Sequence, residues 1–419
     1  MSRAQVTAIT LTFLLSALDG YDVLAVTFAA PAISAAWGIG RGALGVVLSA
    51  GLGGMALGAF VLAPLADVIG RRALLLVSLA LMCAGMLLCA YATSIGTLAC
   101  WRVVAGLGIG ACVAVINPVA AEFANRRRRP LTVSVMAVGY PAGGVVGGLL
   151  AASLLHLSDW RAVFLAGAAA ALLLLPAVWL FLPESLAFLV TRPGTGSLPR
   201  VNAVLLRFGQ PMLTALAPAD GPARRGYAAL LLPGVLGSAL WLAAVNVLYV
   251  LAVYYFLSWL PQMVADAGFP PAAASLASAS ASLAGVAGGL LLGWRAQAGG
   301  LRWLVVGAMA AFGICTMGFG AVPPSLPLLV AAAALCGFFL FGSACGVYAT
   351  IAASFADAAR ASGTGFVSGV GRISSALAPL IAGRFFEGGL SRGEVSAAFG
   401  GCALMAAALL AYGWRTGPT

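Results

Sequence analysis

The chain is written in long apolar runs, separated by short stretches rich in Gly, Pro or Arg. Roughly twenty predominantly apolar residues suffice for a helix to cross the ~30 Å hydrocarbon core of a bilayer. Twelve such runs are read: 8–34, 43–65, 73–92, 97–119, 131–155, 161–182, 237–262, 271–294, 301–321, 325–351, 361–383 and 394–414. Of the 419 residues 62% are hydrophobic and 8% charged, against roughly 25% charged in a soluble domain. The chain is therefore read as an all-α, polytopic membrane protein. Its first run is too long and too interrupted by acid for a cleaved signal peptide, and no small-residue cleavage site follows it.

Hydropathy breaks over 184–236, where Pro193, Gly194, Gly196, Pro199, Pro211, Pro218, Gly221 and Pro222 accompany five arginines. The expected organisation is a six-helix bundle (1–183), a cytoplasmic linker (184–236) and a second six-helix bundle (237–419). Six helices against six suit a transporter whose two pseudo-symmetric bundles rock about a site near the midplane. The 54 glycines fit close helix packing, densest at Gly51, Gly54 and Gly58 in the second run and at Gly143, Gly144, Gly147 and Gly148 in the fifth.

Charge orients this layout. All 22 basic residues are arginine. With the N-terminus inside, sixteen fall on the cytoplasmic side: Arg3, Arg71, Arg72, Arg126 to Arg129, Arg192, Arg200, Arg207, Arg224, Arg225, Arg295, Arg302, Arg360 and Arg415. Only Arg41, Arg161, Arg384 and Arg392 fall outside, so both termini are expected in the cytoplasm. The net charge of +11 is this asymmetry and not a nucleic-acid patch. The run Arg126 to Arg129 reads as an anchor at the inner leaflet.

Two aspartates, Asp19 and Asp22, sit inside the first run. A carboxylate at the centre of a membrane helix costs roughly 2.5–3.5 kcal/mol on insertion scales. Three residues apart they lie about 60° apart on the helix, so both share a face that must look into the protein or a wet cavity. That face is either a proton or substrate site, or a structural pair held by a buried arginine. Arg102 and Arg372 are the two arginines inside predicted helices. At 1.5 Å per residue, Asp22 lies roughly 20 Å from the inner edge and Arg102 roughly 9 Å from the outer edge. In a core of ~30 Å they are near one level, and a pairing of Arg102 with Asp22 or Asp19 is expected.

The eight cysteines all fall in apolar stretches without metal-ligand spacing and read as small buried hydrophobes. His156, the single histidine, reads as a loop or interface residue. No Walker loop, nucleophile–base set or metal cluster is visible, so no cofactor, metal or enzymatic activity is expected.

Ala63-Pro64-Leu65-Ala66-Asp67-Val68-Ile69-Gly70-Arg71-Arg72, between the second and third runs, resembles the signature loop of the major facilitator superfamily, G-x-L-a-D-r-x-G-r-r. Ala63 and Val68 depart from it. In such a loop Asp67 can hold a charge contact in one conformation and lose it in the other. The corresponding second-half loop has Gln297 where an acid is expected, which weakens any lock there. Arg102 to Gly110 is similar to the superfamily's R-x-x-x-G-x-G motif, associated with proton coupling. Four further stretches, with Leu48 to Gly58, resemble the aromatic acid:proton symporters, permeases for benzoate and hydroxybenzoates. They are Asp19-Gly20-Tyr21-Asp22, Leu182-Pro183-Glu184-Ser185, Tyr255 to Pro261 and Gly369-Val370-Gly371-Arg372.

The resemblance implies inward symport of a proton with a small aromatic carboxylate; a monomer is expected, and the all-arginine, alanine-rich composition points to a bacterial inner membrane. Such a substrate needs a cation for its acid group and a flat apolar slot for its ring. Arg372, near the midplane of the eleventh run, is the candidate clamp; tying backbone carbonyls or another helix's acid is its alternative. Slot candidates are Tyr21, Tyr140, Tyr255, Phe338 and Phe341, with Asn246 as a polar contact. Asp19, Asp22 and Arg102 are assigned to coupling, and Asp67, Arg71 and Glu122 to the cytoplasmic gate. Three rivals stand beside this reading. One is carriage of another organic acid. A second is a proton-antiporting exporter, for which Gly139 to Gly144 has a faint likeness to an antiporter motif. The third is a membrane sensor without net flux.

Overall fold

Helix ends follow local chemistry. The computed structural model describes residues 1–125, 129–191, 197–215, 235–297 and 301–416. The expectations attached to Arg126 to Arg128, Arg192, Arg224 and Arg225 lie outside the described residues, as do Pro193, Gly194, Gly196, Pro218, Gly221, Pro222 and the side chains of Arg129, Gln297 and Arg415. The first half holds α1 (Arg3–Trp37), α2 (Arg41–Val61), a short α3 (Ala66–Ile69), α4 (Arg71–Ala90), α5 (Ile95–Phe123), α6 (Arg129–Leu157) and α7 (Arg161–Phe181). Two short helices follow, α8 (Leu186–Thr191) and α9 (Ser197–Arg207). The second half holds α10 (Val235–Asp266), α11 (Pro271–Gln297), α12 (Leu301–Ala321), α13 (Leu326–Ala353), α14 (Asp357–Glu387) and α15 (Arg392–Thr416). Twelve of these are long and apolar enough to cross a membrane, matching the twelve runs, and most extend past the apolar limits into capped ends. A capping box opens α1: Ser2 N–H donates to Gln5 Oε1 at 2.9 Å, and Gln5 N–H donates to Ser2 Oγ at 3.3 Å. Gly38, in the left-handed region at φ 61°, closes it.

The halves meet along two seams, α2 against α14 and α6 against α11, with α1 against α10 between them. Each seam is lined by small residues. A Cβ on Gly45 would lie 2.8 Å from Pro379 O and 3.2 Å from Gly383 Cα, so only glycine permits this approach. A Cβ on Gly148 would lie 2.8 Å from Ala279 Cβ. Gly54 and Gly58 instead abut the α5 backbone at Val103 and Leu107, which is packing inside the first half.

On the face opposite the chain termini, Arg41 Nη2 of α2 pairs with Asp266 Oδ2 of α10 at 3.0 Å, joining the halves. Gln262 Nε2 donates to the other Asp266 oxygen at 2.9 Å, and the Arg41 guanidinium lies 5.5 Å from the Phe386 ring centroid.

Part of the expected linker is docked. Val201 and Val204 of the amphipathic α9 are buried, and Phe208 meets Phe123 of α5 edge-on at 5.3 Å. These residues pack with the core of the first half, so the stretch departs from the open linker its Pro and Gly content suggests. Cys89, Cys112 and Cys336 are buried as expected, but Cys100 is exposed, on the face of α5 turned away from the core.

Candidate functional site

The centre of the molecule is built around α1, which is buried without interruption from Leu18 to Pro31. With protein on every side, its two carboxylates need protein partners, and only Asp22 has an ion pair, its second oxygen Oδ2 being buried without a hydrogen bond. Arg102 of α5 donates from Nη1 to Asp22 Oδ1 at 3.2 Å and from Nη2 to the Asp22 carbonyl at 3.1 Å. Both side chains are sealed, 2% and 1% exposed. The pairing expected from helix depth is present, and it lies wholly inside the first half.

Asp19, one turn earlier, is 5% exposed and its Oδ1 has no hydrogen-bond partner. The helix facing it is α6, brought close at Gly20, where a Cβ would lie 2.1 Å from Tyr140 O. The Tyr140 hydroxyl is also buried and unpartnered. Its ring stands 6.3 Å from that of Phe341 on α13, an aromatic contact across the halves. From the second half, Arg372 of α14 reaches into electrostatic range of Asp19 and of the Tyr254 hydroxyl. Tyr254 and Tyr348 in turn lie within electrostatic range of Tyr140. Among the described residues the Arg372 guanidinium forms no salt bridge. Asp19 of α1, Tyr140 of α6, Tyr254 of α10, Phe341 of α13 and Arg372 of α14 are thus linked by ring contact or electrostatic reach, with Tyr348 of α13, 56% exposed, at their edge.

Two of the aromatic candidates, Tyr21 and Tyr255, lie elsewhere. Tyr21 donates to Val163 O of α7 at 2.6 Å and packs inside the first half. Tyr255 stacks on Phe399 at 4.4 Å, and its hydroxyl pairs with Ser396 Oγ at 2.7 Å, facing α15 and not the centre. Phe338 packs edge-on against Phe339, with its backbone against Gly288 of α11. Asn246 Nδ2 donates to Val367 O at 3.1 Å, tying α10 to α14 five residues before Arg372, while its Oδ1 is buried without a partner. Tyr254 and Tyr348 were not singled out from the sequence. A signal for the first existed: Tyr255 and Trp259, four apart, share one stripe, and Trp259 donates to Pro379 O at 3.2 Å. That stripe is spent on packing in the second half, and Tyr254 lies about 100° round the helix from it.

The signature loop forms a second polar cluster, at the end of the first half that carries the N-terminus. Arg71 pairs with Glu122, and Ser185 Oγ donates to the other Glu122 oxygen at 2.6 Å. Glu184 Oε1 accepts the backbone N–H groups of Arg71 at 2.9 Å and Arg72 at 3.1 Å, capping the start of α4. Asp67 is exposed on α3. Arg71 and Glu122 are therefore joined as a network, but within one half and with Leu182-Pro183-Glu184-Ser185 as its other side.

Two bundles closing over charges buried at mid-membrane define a membrane carrier. The sequence profile described as Major Facilitator Superfamily matches residues 12–270 and 242–419. A gallate transporter of Pseudomonas putida is 31% identical over 388 residues, 91% of this chain and 85% of its own length. The 4-hydroxybenzoate transporter PcaK of Acinetobacter baylyi is 30% identical, with 90% of this chain and 83% of the relative covered. Among solved structures, the proton:xylose symporter XylE bound to 6-bromo-6-deoxy-D-glucose superposes with a TM-score of 0.75 at 16% identity, covering 99% of this chain and 96% of that one. The chain belongs to the major facilitator superfamily. It is a transporter and not an enzyme.

Proposed function

We propose that this protein takes up an aromatic carboxylate together with a proton, by alternating access across a bacterial inner membrane, as a monomer with both termini in the cytoplasm. The observation that carries the reading is Arg372, a guanidinium without an ion pair among the described residues, facing an unpaired Asp19 across the two halves. The relatives named for gallate, 4-hydroxybenzoate and benzoate support the aromatic acid, and the sixteen-to-four arginine bias supports the orientation.

Coupling follows from competition for one cation. An ionised Asp19 and a substrate carboxylate both seek Arg372, and two anions sharing one guanidinium repel each other. Protonation of Asp19 on the outside removes the competitor and lets Arg372 hold the substrate, with the ring between Tyr140, Phe341 and Tyr254. The site is neutral both empty and fully loaded, whereas either half-loaded state carries a charge, so closing a half-loaded site in low dielectric costs more. Loss of the proton inside returns Asp19 to Arg372 and expels the acid. Asp22, already neutralised by Arg102, keeps that arginine out of the competition. The pair Arg41–Asp266 forms the outer latch, and the cluster of Asp67, Arg71 and Glu122 braces the inner end of the first half.

The test is uptake of radiolabelled benzoate, hydroxybenzoates, gentisate, shikimate and lactate into proteoliposomes, with and without an inward proton gradient. A 1:1 symporter accumulates its acid about tenfold per unit of imposed pH difference. The variant Asp19→Asn should still exchange labelled for unlabelled acid but should no longer accumulate it. Undiminished accumulation by that variant would refute the coupling role.

A further inference from the structure

We propose that the second half binds one anionic phospholipid at the membrane end where α15 finishes. Arg295 and Arg302 hold its phosphate, and one acyl chain lies between α11, α12 and α13. The site is separate from the central one and independent of the cargo.

The two halves differ in how they answer their basic helix ends. In the first half the protein supplies its own acids: Glu122 pairs with Arg71, and Glu184 accepts the N–H groups of Arg71 and Arg72. In the second half, residues 267–356 contain no Asp or Glu, and their only charged residues are Arg295 and Arg302. Arg295, in the last turn of α11, is exposed and forms no ion pair among the described residues. Arg302 opens α12 beside the end of the chain, its Nη2 donating to Ala411 O of α15 at 3.3 Å. Its guanidinium lies 4.9 Å from the Trp303 ring centroid.

Next to these ends is a cavity of about 130 Å³, lined by Leu292 and Gly293 of α11, Leu304 and Val305 of α12, and Gly342 and Gly346 of α13. It exists because α13 packs closely on both neighbours while α11 and α12 touch each other little. A Cβ on Gly342 would lie 2.2 Å from Leu292 Cδ1, and one on Gly346 2.3 Å from Val305 Cγ2. Protein interiors are otherwise close-packed, so an apolar gap of this size suits hydrocarbon. At 1.5 Å per residue its α12 wall begins roughly 3 Å beyond Arg302, where acyl chains start beneath a head group. Trp294 and Trp303, neighbours of the two arginines in the chain, are 68% and 57% exposed. Tryptophan at a helix end marks the membrane–water boundary, which is the level of lipid phosphates. Basic pockets between membrane helices recognise anionic head groups, and a guanidinium matches phosphate oxygens with its planar fork.

The test is native mass spectrometry of the delipidated full-length protein, titrated with phosphatidylglycerol or phosphatidylcholine of identical acyl chains. The wild type should bind the first phosphatidylglycerol about 20-fold more tightly than phosphatidylcholine. Arg295→Gln alters an exposed side chain and should cost about fivefold of that preference; Arg295→Gln with Arg302→Gln should abolish it. At the opposite membrane end, Arg384→Gln with Arg392→Gln removes the same charge and should leave the preference within about twofold. Gly293→Leu keeps both arginines but places a side chain in the cavity, and should weaken the lipid about fivefold. Binding of phosphatidylcholine by the arginine variants reports that they are folded. Equal affinity of the wild type for the two lipids, or an undiminished preference in the double variant, would overturn the proposal. So would an equal loss in the opposite-end variant. Unaltered binding to Gly293→Leu, or glycerol phosphate competing as well as the whole lipid, would overturn the acyl seat and with it the lipid as occupant.

Discussion

Two arginines lie deep in this molecule, and they are committed to different ends. Arg102 is sealed at 2% exposure, with both guanidinium ends turned to Asp22 and its carbonyl. Arg372 is half-buried, in the other half, and makes no salt bridge among the described residues. The first has its ion pair within its own half of the protein, although its Nε is buried without a partner. The second is left with charge to spend. A membrane interior tolerates an unneutralised cation only where a cavity or a partner can reach it. The contrast therefore separates a charge paired inside one bundle from one without an ion pair among the described residues, the one to which the proposed function assigns the substrate.

Breaking the first pair should have the largest effect. Arg102→Met leaves Asp22 buried and uncompensated, and removing one partner of a buried pair costs about 3–5 kcal/mol. The expected outcome is a sharply lower thermal midpoint in detergent, recovered in part by Arg102→Met with Asp22→Leu. If Arg102→Met left the midpoint unchanged, the division between the two arginines would collapse. Arg372→Ala comes next and should act on transport instead: a fall of roughly 100-fold in the uptake kcat/KM, about 3 kcal/mol, with the thermal midpoint held. Arg372→Lys restores charge without the planar fork, so it should recover only part of the activity. The smallest effect is expected at Arg41, whose pair with Asp266 is 44% and 32% exposed. An exposed pair contributes about 0.2–1 kcal/mol, so Arg41→Ala should shift the inward–outward balance by no more than about fivefold. Spin-label distances between the Arg41 end of α2 and the Asp266 end of α10 would read that shift.

Much of this was legible in the sequence because bilayer thickness imposes a ruler. Helix count, the division six against six and the shared depth of Asp22 and Arg102 all follow from counting 1.5 Å steps. Rotation about a helix is harder to read than depth. Tyr254 and Tyr255 stand at nearly the same depth, and a two-residue error in the boundary does not separate them. What separates them is α15, whose Ser396 and Phe399 claim Tyr255, and that partner is 141 residues away in the chain. The docking of α9 was hidden for a related reason. The Pro and Gly content of its surroundings spoke for a linker, while Val201, Val204 and Phe208 find their apolar surface at Phe123 of α5. Asp266 could be seen as an acid at a helix end, but not as the partner of Arg41, since nothing local joins them.

The glycine seam between α2 and α14 has a bearing on speed. Where Gly45 meets Pro379 and Gly383, two main chains touch with no side chains between them. When such surfaces roll over each other, no rotamers have to be unlocked and reset, and little side-chain entropy is spent at the crossing point. The seam acts as a bearing. A bulky side chain at position 45 would be grit in it: it would have to part α2 from α14, so Gly45→Leu should disfavour the arrangement in which this seam is closed.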